Sequence, residues 1–131
     1  MLKDAAMNAK RGWVVVAALT GLTGVALGAF GAHGLKSILN ASEAALWSKA
    51  VFYHLTHAVA LLAVAFHATR SDGPRYRHTL WGFSLGILFF SGSLYLMALT
   101  EWRWLAWLTP IGGLLFLWGW LGLMVHRAGS R

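Results

Sequence analysis

The sequence predicts an all-α, polytopic membrane protein with four transmembrane helices in an antiparallel bundle and both termini cytoplasmic. Two observations predict the class. Four predominantly apolar runs, at about residues 13–32, 50–68, 79–99 and 104–125, occupy most of the 131-residue chain. Each is close to the ~20 residues that, at 1.5 Å rise, cross a ~30 Å hydrocarbon layer. The composition agrees: 58% apolar and only 11% charged residues suit a bundle whose outer surface meets lipid. So short a chain leaves no room for a soluble domain beside the spans, and residues 1–131 read as a single transmembrane domain.

A third observation orients it. With four spans, the N-terminus, the middle loop and the C-terminus share one side. They carry Lys3, Lys10, Arg11, Arg70, Arg75, Arg77, Arg127 and Arg131, against Lys36, Lys49 and Arg103 on the other. In short loops that bias places the richer side in the cytoplasm. Trp13 and Trp81 open spans at the inner interface. Trp47, Trp102, Trp104 and Trp107 gather at the outer one, where an amphipathic ring is stabilised. Trp118 and Trp120 fall in the inner half of the last span. The net charge of +7 does not indicate nucleic acid, because the basic residues are dispersed and form no stripe along which a phosphate backbone could run. With no cysteine, disulfides and thiolate metal sites are excluded.

The first run follows a basic prelude, as a secretory signal would, but at about 20 residues it is longer than the 7–15 of a signal core and reads as a retained helix. Along it Gly21, Gly24, Gly28 and Gly31, spaced 3, 4 and 3, share one face with Ala17 and Ala32. Small residues let backbones approach where lipid tails compete equally for apolar contact, so this face predicts a helix contact. Between the first two runs, Leu35 to Lys49 predicts a short interfacial segment, with Ser42 capping a helix that begins near Glu43.

The third run carries two such surfaces. Gly82, Gly86 and Ser93 line one side, and Ser84, Ser91 and Tyr95 nearly the opposite one, which suits the centre of the bundle or an oligomer seam. The short connection from Thr100 to Arg103 predicts a tight hairpin with span four. In that last span Thr109-Pro110-Ile111-Gly112-Gly113 predicts a kink, with Gly112 and Gly119 on one face. The two halves of the chain show no internal repeat.

The acidic residues Asp4, Glu43, Asp72 and Glu101 all fall outside the apolar runs. This disfavours ion-coupled transport, which usually relies on a buried carboxylate. Histidine is the remaining candidate for chemistry. His67, His78 and His126 fall at span ends, whereas His54 and His57 lie one turn apart inside the second span, on the stripe of Ala50, Leu61, Ala65 and Ala68. They should point into the bundle, near its outer face. His33 ends the first span at a similar level. Two readings stand. The histidines with Ser91, Ser93 and Thr109 can hydrogen-bond across helices as structural groups. Alternatively His33, His54 and His57, with Glu101 at the rim, can hold a metal, a haem or a quinone. No arrangement of nucleophile and base suggests a lipid-processing enzyme, and Ser91 and Ser93 read as helix contacts.

Gly28-Ala29-Phe30-Gly31-Ala32-His33-Gly34-Leu35 is a distinctive run. Together with Tyr53-His54-Leu55-Thr56-His57-Ala58, Ser91-Gly92-Ser93-Leu94-Tyr95 and Thr109-Pro110-Ile111-Gly112-Gly113, in that order, it resembles the YgdD-like family of small inner-membrane proteins. The resemblance covers nearly the whole chain, and His57 followed by Ala58 is its best match in the second span. It implies a four-span protein of the bacterial inner membrane and brings no catalytic residue, substrate or cofactor with it. The function expected from the sequence is a non-enzymatic accessory or assembly subunit, or a lipid-facing helper, in a larger membrane system. Its partners would be membrane lipids and other membrane subunits or itself; the alternative is the haem, metal or quinone module.

Overall fold

A computed structural model describes residues 1–71 and 76–128, with side chains described as far as Val125. Asp72, Arg75 and Arg131 lie outside the described residues, as do the side chains of His126 and Arg127. Among the described residues there are helices and turns but no strand.

Helix α1 spans Leu2–His33 and α2 spans Ala41–Arg70. The third membrane segment is built from α3 (Arg77–Gly86), a π turn (Ile87–Ser91) and α4 (Gly92–Leu99). The fourth begins with a 3-10 turn (Arg103–Trp107) and continues as α5 (Leu108–Ala128). All four segments are long and apolar enough to cross a membrane, and the chain is an integral membrane protein with four antiparallel helices.

The helices form a row rather than a square. α1 packs on α2, α2 packs on the third segment, and the third segment packs on α5. The second and third segments are therefore the most buried, while α1 and α5 turn broad apolar faces outward through Leu19, Leu22 and Val25 on one flank and Leu114, Leu117 and Leu121 on the other. Two apolar cores lie along the row. Leu61, Val64, Ala65, Leu80, Phe83 and Phe116 fill one, and Leu35, Trp47, Ala50, Leu94 and Ala98 fill the other.

Several local features depart from the sequence expectations. α1 begins at Leu2, not near residue 13, because Leu2 to Gly12 contains no proline and continues the helical register of the apolar run. At 32 residues, or ~48 Å, it outreaches the hydrocarbon layer. α2 is capped by Asn40 and not by Ser42. Asn40 Oδ1 accepts from the Glu43 backbone N–H at 3.0 Å while Glu43 Oε2 accepts from the Asn40 N–H at 2.9 Å, a reciprocal box that satisfies two helix-end donors. The Ser42 hydroxyl instead donates to Asn40 Oδ1 at 2.7 Å. The connection before it is made of turns, with Leu35 buried in the second core and Lys36 and Ile38 exposed.

Pro110 does not sit in the interior of a helix. α5 begins at Leu108, so the proline occupies the third position of its first turn, where the backbone N–H has no intrahelical partner in any case. What precedes it is the 3-10 turn, which passes into α5 at Leu108 with helical backbone angles. The third segment, expected to be uninterrupted α-helix, contains the π turn, with the Gly92 N–H bonded to the Ile87 carbonyl five residues back.

Candidate functional site: a polar and aromatic centre

Glycines admit the side chains that build this centre. A Cβ at Gly24 would lie 2.7 Å from Leu55 Cδ2, and one at Gly28 would lie 3.2 Å from Val51 Cγ1, both on α2. At Gly31 it would overlap the indole of Trp47. Only Gly21 of the four meets nothing within 4 Å, because it lies at the margin of the face that α2 covers. The absent side chain at Gly31 has a polar consequence: Trp47 Nε1–H reaches the Leu27 carbonyl, one turn earlier on α1, at 3.0 Å. Trp47 is therefore a core residue, 4% exposed, and not part of the outer tryptophan belt.

The same logic joins the third segment to α5. Gly82 approaches the backbone of Gly119, where a Cβ would stand 3.0 Å from the Gly119 Cα. Gly86 leaves room for the Phe116 ring and Gly119 for Phe83. Gly112 lies against the backbone of Phe90 in the π turn, where a Cβ would stand 2.7 Å from the Phe90 Cα. Backbone approach of this kind maximises dispersion contact in a setting that supplies little hydrophobic drive between helices.

His57 occupies the middle of the row. Because α2 starts at Ala41, the residue stands near the midpoint of its helix, deeper than the outer-face level expected from a span beginning at residue 50. Its Nδ1 lies 2.9 Å from the Tyr53 carbonyl, and its Nε2 lies 3.1 Å from Nε1 of Trp120 on α5. A carbonyl only accepts and an indole N–H only donates. The imidazole is therefore neutral, with its proton on Nδ1 and its Nε2 lone pair bonded to Trp120. The ring stacks on Phe116 at 3.7 Å between centroids and meets the edge of Phe83 at 5.5 Å.

His54, one turn away, bridges three helices. Its Nδ1 lies 3.0 Å from the Tyr95 hydroxyl on α4, and its Nε2 lies 3.4 Å from Thr23 Oγ1 on α1. Tyr95 also meets the edge of Trp47 at 4.7 Å. The serines join the same scheme. Ser91 Oγ–H donates to the Ala50 carbonyl of α2 at 2.8 Å, and Ser93 Oγ lies 2.7 Å from Thr109 Oγ1 at the start of α5. Thr79 Oγ1–H donates to the Gly119 carbonyl at 3.0 Å. Among the described residues, Ser84 Oγ is the buried side-chain polar atom left without a partner.

The expected ligand set does not converge. His33 is the last residue of α1 and is exposed, and Glu101 is exposed in the loop after α4. Among the described residues no three His, Cys, Asp or Glu side chains gather as a metal group would require. The sequence reading missed Trp120, Trp47, Tyr53 and Phe116 as members of the centre. A faint signal for Trp120 exists: it follows Gly119, the small residue that leaves room for Phe83, whose ring meets the Trp120 indole at 5.0 Å.

Comparison with known proteins bears on identity. Residues 27–113, from just before the Gly28 to Leu35 motif to the end of the Thr109 to Gly113 motif, match the family model described as "Protein of unknown function (DUF423)". The UPF0382 membrane protein of Haemophilus influenzae is 44% identical over 93% of this chain and 98% of its own length. A UPF0382 membrane protein of Staphylococcus saprophyticus is 41% identical over 86% of this chain and 93% of its own. The UPF0382 inner membrane protein YgdD of Escherichia coli is 38% identical over 86% of both chains. No solved structure matches. The chain belongs to this DUF423 family, the YgdD-like membrane proteins also designated UPF0382, and is a multi-pass protein of the bacterial inner membrane.

Proposed function

We propose that the chain is a single-domain, non-enzymatic accessory or assembly subunit of a larger inner-membrane system, with both termini and the loop between α2 and α3 in the cytoplasm. The observation that carries this reading is that, Ser84 Oγ apart, the described buried polar side chains of the centre are bonded to other groups of the bundle. His57, His54, Ser91, Ser93 and Thr79 each bond a group on another span. A catalytic or carrier site needs a polar group held ready for a substrate, whereas these groups join helices to one another. Asp4 and Glu101 are exposed and the half-buried Glu43 caps the start of α2, so no described carboxylate is positioned to carry a proton through the bundle. The row arrangement supports the same reading, because its two flanks present apolar helix faces that lipid or neighbouring subunits would cover.

The test is purification from its own membrane in mild detergent after crosslinking within that membrane. A membrane protein recovered at a reproducible ratio, with no bound chromophore or metal, is the expected result. Isolation of the chain with stoichiometric haem, metal or quinone and no partner would overturn the reading.

A further inference from the structure

At the end of the bundle that carries the N-terminus, the extension of α1 beyond the apolar run leans towards the start of α3 and encloses a groove of about 820 Å³. Its basic rim is formed by Lys3, Lys10 and Arg77, and Trp13, Trp81 and Ala68 contribute apolar wall. Trp13 and Trp81 meet edge to face at 5.1 Å. From this geometry we propose that the groove is a binding site for one anionic phospholipid, with the phosphate at the basic rim and an acyl chain along the tryptophan wall.

Charge complementarity selects the occupant. Among the described residues no carboxylate lines the groove, and Asp4 turns to the N-terminal ammonium at 3.2 Å. Among the described residues, neither Lys3 nor Arg77 has an acidic partner. Lys10 donates one N–H to the Ser71 carbonyl at the end of α2, which anchors the ammonium at the groove and leaves two further donors. The start of α3 adds to the field. It opens at Arg77 with no side-chain cap from Tyr76 and no acidic residue in its first turn, so the positive end of its dipole lies beside the same rim. The groove's depth selects lipid over free phosphate, since it lies where the apolar run of α1 begins and pairs basic groups with an aromatic wall. A headgroup and its first acyl methylenes require that combination, whereas a soluble ion requires only the charges.

The test uses the full chain, stripped of lipid in dodecyl maltoside and titrated with phosphatidylglycerol or phosphatidylcholine in mixed micelles. Native mass spectrometry counts the bound lipid. One phosphatidylglycerol should be retained in preference to phosphatidylcholine, and millimolar inorganic phosphate should not displace it. Lys3→Gln and Arg77→Gln should each weaken retention about fivefold and the pair roughly 30-fold. Lys36→Gln with Lys49→Gln, at the opposite end, should leave it unchanged. All four side chains are exposed, and circular dichroism checks that each variant keeps its fold. Equal retention of the two lipids, an unaffected Lys3→Gln/Arg77→Gln variant, or displacement by inorganic phosphate would each overturn the proposal.

Discussion

The indole of Trp120 on α5 donates to Nε2 of His57 on α2 over 3.1 Å, passing the edge of Phe83 on the α3 helix that separates them. With the stacking of His57 on Phe116, this hydrogen bond ties α2 to α5, two helices whose backbones are not adjacent in the row. Trp120→Phe keeps the aromatic bulk and removes the donor, leaving Nε2 unpaired in apolar surroundings. The expected loss is about 0.6 kcal/mol, the average for interhelical hydrogen bonds in membrane bundles, with about 1.7 kcal/mol as the upper limit. A cycle with His57→Phe, read by SDS-induced unfolding in mixed micelles, should show coupling of about 0.6 kcal/mol. Simple additivity would mean that the two side chains do not communicate.

The glycines should divide by what a methyl group would meet. Gly112→Ala and Gly82→Ala press against backbone that cannot rotate away, at Phe90 and Gly119 respectively. Each should cost about 1–3 kcal/mol, the usual range for overpacking. Gly21→Ala and Gly92→Ala meet nothing within 4 Å and should be neutral or slightly stabilising through helix propensity. Folded yield in detergent ranks them, and a uniform response across the four would contradict close helix approach.

Trp47→Phe removes the bond to the Leu27 carbonyl while keeping most of the ring. It should lower stability by about 0.5–1.5 kcal/mol. Gly31→Ala attacks the same contact from the other side by displacing the indole, so the double variant should be less damaging than the sum of the two. Thermal unfolding of the single and double variants measures this.

Orientation has its own check. Reporter fusions after residue 131 and between residues 71 and 76 should report the cytoplasm, and fusions at Ile38 or Trp102 the opposite side, on the strength of the lysine and arginine bias. A C-terminal reporter active outside the cytoplasm would reverse the assignment.

Four helices were legible because bilayer thickness imposes a length on every apolar run, and that constraint does not depend on tertiary detail. Gly24, Gly28 and Gly82 were conspicuous for a related reason: few side chains other than hydrogen let two backbones meet. Helix ends were harder to read. The α1 extension carries lysines and an arginine that suggest a terminus, yet nothing in Leu2 to Gly12 breaks a helix. Asn40 and Ser42 both suit a cap, and the reciprocal partner Glu43 decides between them. The π turn at Ile87 to Ser91 leaves no trace in periodicity, since it is set by how Phe90 seats against Gly112. The partners of His57 were illegible because Trp120 and Phe116 belong to a helix distant in sequence, and which α5 side chains meet it is a property of the assembled bundle.

The structural role assigned to His57 rests on its protonation, which nitrogen-15 resonances of the imidazole report directly for the full chain in detergent. The expected spectrum shows a neutral ring with the proton on Nδ1 and an unprotonated, hydrogen-bonded Nε2, unchanged by a chelator and altered at Nε2 by Trp120→Phe. A metal-bound Nε2 that a chelator releases, or an Nε2–H tautomer insensitive to Trp120→Phe, would contradict the account.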